Sequence, residues 1–385
     1  MIVRPYWLEK LYRIWDRQSI VWFSGVWRSG KTTIARMIDN SKCVYLNCDI
    51  PAARRKLVDP IDYLASYNKN NTLILDEIHR LDNPSLLLKT IDDKHPNIKV
   101  LAISASTLPA TSEFNVSLTE KTFAVQLPPV LWDECIRDFN IADLDKRLLY
   151  EGLPEVLLDA QKSDEFYAEW IDRVFAREIQ DLFNIRNREG FRTLFRLLIR
   201  NSGGQLDVSK LAQTAKISRP TAYTYLNAME KSHLIHYVRP FHGNSQREIT
   251  KRPKCYAFDT GFITYERGWT ELREEDHEVL WKHLVLDMLR DQFSTREVYY
   301  WKDKSNREID FILRGSRDEV HLIECAMDPD RLSFRAIHEF RRLYPNGKNL
   351  ILTPAAITSY KFKTNNFELT CSNGVELCQL LNLSS

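Results

Sequence analysis

The chain has 385 residues, of which 44% are hydrophobic and 28% charged, and a formal net charge of +2. The length and composition are typical of a soluble globular protein of two to four domains. Because the net charge is close to zero, any surface that binds nucleic acid must be a local basic patch. The seven cysteines are scattered without a CxxC pair, which favours reduced thiols over a disulfide framework or a zinc site. The sequence shows neither a signal peptide nor a run of about 20 apolar residues, so we expect a cytoplasmic protein with no membrane partner.

The first third of the chain alternates short apolar runs with segments of helical spacing. Short apolar strands separated by helices predict a parallel sheet covered on both faces, and hence the α/β class. The predicted strands are 19–25, 43–49, 72–77 and 99–104, and the predicted helices are 31–39, 59–67 and 84–92.

Residues 25–32 match the pattern GxxxxGK[ST] between a predicted strand and a predicted helix. The glycines let backbone N–H groups turn toward phosphates, Lys31 is placed for the β- and γ-phosphates, and the Thr32 hydroxyl for Mg²⁺. The motif therefore predicts binding of ATP with Mg²⁺. The candidate nucleotide contacts in it are Gly25, Arg28, Ser29, Gly30, Lys31, Thr32 and Thr33.

The strand 72–77 closes with two acids, which predict the second half of the site. Asp76 is a candidate Mg²⁺ ligand, and Glu77 is a candidate for polarising the attacking water. A surface acid pair at a strand end is the alternative. Guanine is disfavoured because the chain has no NKxD tetrapeptide. Ser106, after the strand 99–104, either senses the γ-phosphate or caps the strand end.

The serial order of several motifs resembles prokaryotic AAA-type P-loop ATPases that carry a winged-helix segment and a C-terminal PD-(D/E)XK nuclease-like domain of unknown function. The motifs are GVWRSGKTT (25–33), LILDEIHRL (73–81), YEGLPEVLL (150–158), REIQDL (177–182) and RPKCYAFDTGF (252–262). The resemblance covers essentially the whole chain.

This resemblance implies that Lys31 and Glu77 are catalytic, that Thr32 and Asp76 hold the metal, and that Ser106 occupies the position of a family serine. Lys121 stands where the family usually has an arginine. Lysine offers a phosphate only a point charge, so hydrolysis is slower here if this position contacts the γ-phosphate. The alternative is a solvated residue at a strand edge.

Residues 186–258 have the pattern of a winged helix, with three helices followed by a two-stranded wing. The start of the third helix would meet base edges, and the wing loop is basic, so DNA is a candidate partner. A protein-docking or domain-coupling module is the alternative. The candidate DNA contacts are Arg219, Thr221, Tyr223, Arg247, Lys251 and Arg252.

The C-terminal part resembles the nuclease fold, whose active form needs two acids and a lysine around a metal. Glu278, Asp310 and Glu324 are the candidate acids, but Ala326 stands where the lysine is expected. Lys302 or Lys304 could substitute. We therefore predict a degenerate nuclease fold that serves as a binding or scaffold domain.

The predicted domains are an ATPase core (1–125), a helical lid (126–185), a winged helix (186–258) and the nuclease-like domain (259–385). The predicted function is Mg²⁺-dependent ATP hydrolysis coupled to conformational change of the last two domains. A nucleotide-gated DNA-binding regulator with little hydrolysis and a genuine nuclease are the alternatives. Another protein, or a second copy of the chain, is a further candidate partner.

Overall fold

The computed structural model describes residues 3–39, 43–65, 72–107, 122–150, 152–161, 163–242, 252–293, 298–316, 318–363 and 367–381. Five parallel strands form the first sheet in the order β2-β3-β4-β1-β5. They are β1 (Ile20–Ser24), β2 (Cys43–Asn47), β3 (Thr72–Asp76), β4 (Lys99–Ser104) and β5 (Thr122–Gln126). The helices around them are α1 (Pro5–Trp15), α2 (Lys31–Ala35), α3 (Pro51–Lys56), α4 (Pro60–Ala65) and α5 (Pro84–Lys94).

Strand β1 is buried along its whole length, as expected for a central parallel strand with helices over both faces. Separate apolar clusters cover the two faces: one contains Val21 and Phe23, and the other contains Ile20 and Trp22. Because all five strands are parallel, their carboxyl ends meet at one edge, which brings together the segments that follow β1, β3 and β4. The prediction of an α/β fold of the P-loop type is confirmed.

A helical region follows the first sheet. Five of its helices begin after a side chain that accepts a hydrogen bond from the first turn, namely Asp143, Ser163, Asn187, Asp207 and Ser218, and such caps define where a helix starts. The elements are α6 (Trp132–Arg137), α7 (Leu144–Leu149), α8 (Pro154–Asp159), α9 (Asp164–Val174), a π-helical turn (Phe175–Ile179), α10 (Gln180–Phe183), α11 (Arg188–Arg200), α12 (Val208–Thr214) and α13 (Arg219–Lys231).

The second sheet has the order β12-β13-β11-β10-β9-β8-β6-β7. Its strands are β6 (Ile235–Pro240), β7 (Lys254–Ala257), β8 (Val298–Lys302), β9 (Glu308–Arg314), β10 (Val320–Cys325), β11 (Asn349–Leu352), β12 (Tyr360–Lys363) and β13 (Glu368–Ser372). The accompanying helices are α14 (Thr260–Arg267), α15 (Glu274–Gln292), α16 (Arg335–Leu343) and α17 (Leu377–Leu381).

Strand β6 joins the predicted wing to the predicted C-terminal domain. It pairs with β7 in the antiparallel sense and with β8 in the parallel sense, so one sheet continues across residue 258. One apolar cluster also extends from Trp7 on α1 to Leu381 on α17. The predicted domains therefore share a continuous core in the described part of the chain. No helix described by the structure combines the length and the apolarity that crossing a bilayer requires.

Candidate nucleotide-binding site

The loop after β1 has backbone requirements that only glycine meets at two positions. A Cβ atom on Gly25 would lie 2.5 Å from the carbonyl oxygen of Leu127, and Gly30 has a φ of +101°. Ser29, between them, is completely buried, and its hydroxyl has no hydrogen-bond partner among the described residues. A buried hydroxyl without a protein partner in a glycine-rich loop suits contact with a ligand oxygen.

Lys31 begins α2 and lies folded over the loop. Its side chain is buried, and Nζ donates hydrogen bonds to the carbonyl oxygens of Gly25 (2.8 Å) and Val26 (2.9 Å). Both acceptors are neutral, so an anionic phosphate entering the loop would compete favourably for the ammonium group.

Thr32 and Asp76 lie in direct contact at the carboxyl edge of the first sheet. The Thr32 hydroxyl donates to Asp76 Oδ2 at 2.8 Å, and the Tyr45 hydroxyl donates to the same oxygen. The other oxygen of Asp76 accepts from the backbone N–H of Glu77 at 3.0 Å. A hydroxyl beside a carboxylate is the donor set that Mg²⁺ takes in P-loop proteins, so these residues fit the metal that the sequence implies.

Glu77 has an unusual backbone for a residue with a side chain. Its φ is +55°, a left-handed conformation that costs free energy and is concentrated at functional sites. Its Oε2 lies 3.4 Å from Nδ1 of His79. Burial raises the pKa of Glu77 above its ordinary value and lowers the pKa of His79 to about 3. His79 is therefore neutral at physiological pH, and Glu77 is a stronger base than an exposed glutamate.

The other residues predicted to contact the nucleotide differ in their burial and in their partners. Arg28 forms an ion pair with Glu155 on α8 at 2.6 Å and stacks over the Trp27 ring at 4.5 Å. Ser106 is completely buried, and its hydroxyl lies 3.3 Å from that of Ser104. Thr33 is half-buried in α2. Lys121 lies outside the described residues.

Arg4 contacts the phosphate loop, and the sequence reasoning missed it. Its guanidinium is 3% exposed and donates to Glu134 Oε1 at 2.8 Å and Oε2 at 2.6 Å. It also donates to the carbonyl oxygens of Ser29 at 2.9 Å and Pro128 at 3.3 Å. This side chain thus ties the backbone of the phosphate loop to α6.

A second group missed by the sequence reasoning links the π-helical turn and α10 to the ends of β2 and β3. Asp49 accepts from Arg177 at 2.5 Å and pairs with Arg80 at 3.2 Å, and Arg80 also bonds Asp181 at 2.7 Å. The motif REIQDL, which contributed to the family resemblance, supplies Arg177 and Asp181. It therefore lies against the nucleotide site.

Family comparisons agree with this geometry. Residues 17–136 match the AAA domain family, residues 141–273 match a domain of unknown function (DUF8612), and residues 279–371 match another (DUF4143). Residues 17–136 form a P-loop ATPase-like domain. The winged-helix and nuclease-like assignments stay predictions, since the two other matches name no fold or activity.

Similar proteins include an uncharacterized protein of Methanocaldococcus jannaschii, 24% identical over 77% of this chain and 72% of its own length. An uncharacterized protein of Mycobacterium tuberculosis is 25% identical over 80% of this chain and 70% of its own. Among solved structures, a Walker-type ATPase of Pyrococcus abyssi has a TM-score of 0.45 at 15% identity, covering 69% of this chain and 96% of its own. The Thermotoga maritima RuvB Holliday junction branch migration motor has a TM-score of 0.31 at 16% identity, covering 66% and 92%.

The predicted DNA contacts at the start of α13 lie on the surface. Arg219 and Tyr223 are exposed and contact each other at 3.3 Å, and Thr221 is half-buried. Arg252 is exposed and forms an ion pair with Asp207 at 2.9 Å. Arg247 and Lys251 lie outside the described residues.

The opposite end of α13 contacts the carboxyl edge of the ATPase sheet. The backbone N–H of Thr107, after β4, donates to the carbonyl oxygen of Lys231 at 2.9 Å. His233 Nε2 lies 2.9 Å from the Ser24 hydroxyl, one residue before the phosphate loop. Burial lowers the pKa of His233 to about 3, so this contact is a neutral hydrogen bond. Helix α13, with the residues just after it, thus connects the carboxyl edge of the first sheet to the exposed surface.

The tail contains a lysine that the sequence reasoning overlooked. Nζ of Lys282, on α15, lies 2.6 Å from Asp310 Oδ1. Burial alone would raise the pKa of Asp310, but the Lys282 ammonium overrides it and the pKa is lowered. Lys302, proposed as a substitute cation, pairs with Glu308 at 3.1 Å instead. The cation beside Asp310 comes from a helix 28 positions earlier in the chain, which no short motif reveals.

The three predicted nuclease acids are only partly brought together. Glu324 Oε2 accepts from the backbone N–H of Asp310 at 3.3 Å, and burial raises the pKa of Glu324 well above its ordinary value. Glu278 is exposed, and its Oε1 lies 3.8 Å from Nζ of Lys282, the lysine that pairs with Asp310. Among the described residues, no three acidic, histidine or cysteine side chains are grouped to hold a metal ion. The arrangement resembles a buried ion pair more closely than an open metal site.

Proposed function

We propose that the chain binds ATP with Mg²⁺ and hydrolyses it at the carboxyl edge of the first sheet. The observation that carries this proposal is the direct contact between Thr32 of the phosphate loop and Asp76 at the end of β3. Two residues far apart in sequence are placed side by side, with the donor types that a nucleotide-bound Mg²⁺ requires.

In the proposed mechanism, Lys31 leaves the carbonyl oxygens of the loop to contact the β- and γ-phosphates. The buried Ser29 hydroxyl and the N–H groups of the loop hold the remaining phosphate oxygens. Glu77 orients the attacking water and takes its proton, a role for which a raised pKa is favourable because a base works best when its pKa approaches the operating pH. Thr32 and Asp76 would hold Mg²⁺, which would neutralise negative charge on the phosphates.

Equilibrium binding of ATP tests the first half of this proposal. We expect Lys31→Ala to weaken ATP binding by about 10- to 100-fold, because charge-assisted hydrogen bonds to the phosphates are lost. Isothermal titration calorimetry with Mg²⁺ measures the change. Lys89→Ala, an exposed lysine on α5, is the matched control and should bind as the wild type does. Equal ATP affinity in all three proteins would contradict the proposal.

The contacts of α13 support a second candidate function, that of a nucleotide-gated DNA-binding regulator. The carboxyl end of α13 bonds the ATPase sheet edge through Lys231 and Thr107, and its amino end carries the exposed Arg219 and Tyr223. A change at the phosphate loop could therefore be transmitted along one rigid element. In this proposal Arg219 contacts a DNA phosphate.

Binding of mixed-sequence duplex DNA at several salt concentrations, with and without ATP, tests this candidate. We expect Arg219→Ala to weaken binding and to reduce the slope of log Kd against log salt by about one, since one phosphate contact is removed. Lys89→Ala again serves as the control. DNA affinity that is the same in Arg219→Ala and in the wild type, or that ignores ATP, would exclude this form of coupling.

A further inference from the structure

The lid helix approaches the phosphate loop at the point where its hydrogen-bond pattern changes. Helix α9 contacts the loop through Trp170, whose indole N–H donates to the carbonyl oxygen of Trp27 at 3.3 Å. Arg173, one turn later, lies over the Trp27 ring at 4.6 Å. The helix then widens into the π-helical turn Phe175–Ile179. Such local widenings re-aim side chains and are frequent at functional sites.

Glu178, in this π-helical turn, has a carboxyl group that the described protein does not satisfy. The residue is 6% exposed, and its Oε2 has no hydrogen-bond partner among the described residues. The preceding residue, Arg177, is bound to Asp49 at the end of β2, which fixes this turn against the carboxyl edge of the sheet. A buried polar atom without a partner is uncommon in proteins and requires an explanation.

The charges that act on the carboxyl group of Glu178 are those of the nucleotide site. Lys31 comes from α2, Glu77 and Arg80 from the segment after β3, and Arg177 from the same turn. Burial raises the pKa of Glu178 to about 8, although the positive charges of Lys31, Arg80 and Arg177 lower it. Its carboxyl group is therefore protonated at neutral pH and has an O–H to donate.

We propose that Glu178 binds the γ-phosphate of ATP, donating a hydrogen bond from its carboxyl group and so holding the lid helix against the phosphate loop only in the ATP state. This inference rests on the proposed nucleotide site and adds a contact that distinguishes ATP from ADP. An ionised carboxylate would repel the γ-phosphate, whereas a neutral carboxyl adds a donor where Lys31 and Arg80 already favour an anion. The lid then responds to the loss of the γ-phosphate.

Nucleotide affinities of the full chain test this inference, with adenylyl imidodiphosphate as the probe for the ATP state. We expect Glu178→Ala to weaken its binding by about 10- to 100-fold, with ADP binding changed by less than about twofold. Glu178→Gln keeps an N–H donor and should keep the preference for the triphosphate. Glu169→Ala, on the exposed face of α9, is the matched control and should match the wild type.

The pH dependence gives a second readout that a merely structural role would not move. As the pH rises through about 8, Glu178 loses its proton, so the preference of the wild type for the triphosphate should fall. The preference of Glu178→Gln should stay constant over the same range. An unchanged preference in Glu178→Ala, or a Gln variant as weak as the Ala variant, would overturn the inference.

Lys31→Ala, measured in parallel, separates this inference from the function on which it rests. If Lys31→Ala weakens nucleotide binding and Glu178→Ala does not alter the preference, only the inference about Glu178 fails. If nucleotide binding is independent of Lys31, the proposed nucleotide site and the inference both fail.

Discussion

Replacing Arg4 with methionine should lower the free energy of unfolding by about 3–5 kcal/mol, because it leaves the carboxylate of Glu134 buried without its charge partner. Glu134 is completely buried, and its other donors are the Trp7 indole N–H at 3.0 Å and the Leu131 backbone N–H at 3.1 Å. Neither carries a charge. Equilibrium unfolding in urea at neutral pH measures the loss, and ATP affinity should fall with it because Arg4 also holds the Ser29 carbonyl.

The pH dependence of this ion pair has a defined sign. Burial alone would raise the pKa of Glu134, but the charge and hydrogen bonds of Arg4 override it and the pKa is lowered. The Arg4–Glu134 ion pair therefore stabilises the folded chain at neutral pH, and this contribution is lost as the pH falls through the lowered pKa of Glu134.

Two variants make the Arg4 result specific. Arg137→Met removes an exposed arginine that pairs with Asp138, and it should cost no more than about 1 kcal/mol. Adding Glu134→Leu to Arg4→Met should restore much of the stability, because no buried charge is then left unpaired. An Arg4→Met variant that is as mild as Arg137→Met would contradict the role given to this network.

Glu77→Gln should reduce the turnover of ATP by about 10²- to 10⁴-fold, the usual contribution of a positioned general base. ATP binding should persist, because the amide has nearly the shape of the carboxylate and Thr32, Lys31 and Asp76 are untouched. Steady-state phosphate release, combined with equilibrium ATP binding, separates the two effects. Loss of turnover together with loss of binding would instead indicate a structural role for Glu77.

Asp82→Asn is the matched control for Glu77→Gln. Asp82 lies five positions later and is exposed, so its neutralisation should leave turnover unchanged. A fall in turnover as large as that of Glu77→Gln would mean that the loss of any nearby negative charge, and not the loss of a positioned base, slows the reaction.

Strands β1 to β4 of the first sheet were predicted because their signals are local, whereas β5 (Thr122–Gln126) was not predicted. Each of the four is a short apolar run, and the phosphate loop carries its glycines within eight residues. Thr32 and Asp76 were assigned to one Mg²⁺ site because each lies in a short motif, the phosphate loop and the acidic end of the strand 72–77.

The contacts that the sequence did not predict join residues that are distant along the chain. Lys282 reaches Asp310 from α15, and Arg4 reaches Glu134 across 130 positions. The sequence around a buried charged residue with a distant partner looks the same as the sequence around an exposed charged residue. Glu178 was hidden for a related reason: a π-helical turn changes which side chains face inward, and helical periodicity does not signal it.

The sequence also did not predict the pairing of β6 with β8. An antiparallel partner follows a hairpin nearby in sequence, whereas β6 and β8 are parallel and separated by α14 and α15. The boundary placed at residue 258 therefore falls within a continuous sheet. Movement of the predicted wing relative to the tail would have to deform that sheet, so we expect the two to move as one body.

Phosphate release from ATP by the purified full chain, with and without Mg²⁺ and beside Lys31→Ala, tests the central claim most directly. A P-loop hydrolase should turn over ATP only with Mg²⁺, and the Lys31 variant should lose that turnover. Phosphate release that is unaffected by Mg²⁺ and by Lys31→Ala, or a wild-type chain that releases no phosphate, would contradict the account of the chain as an ATPase.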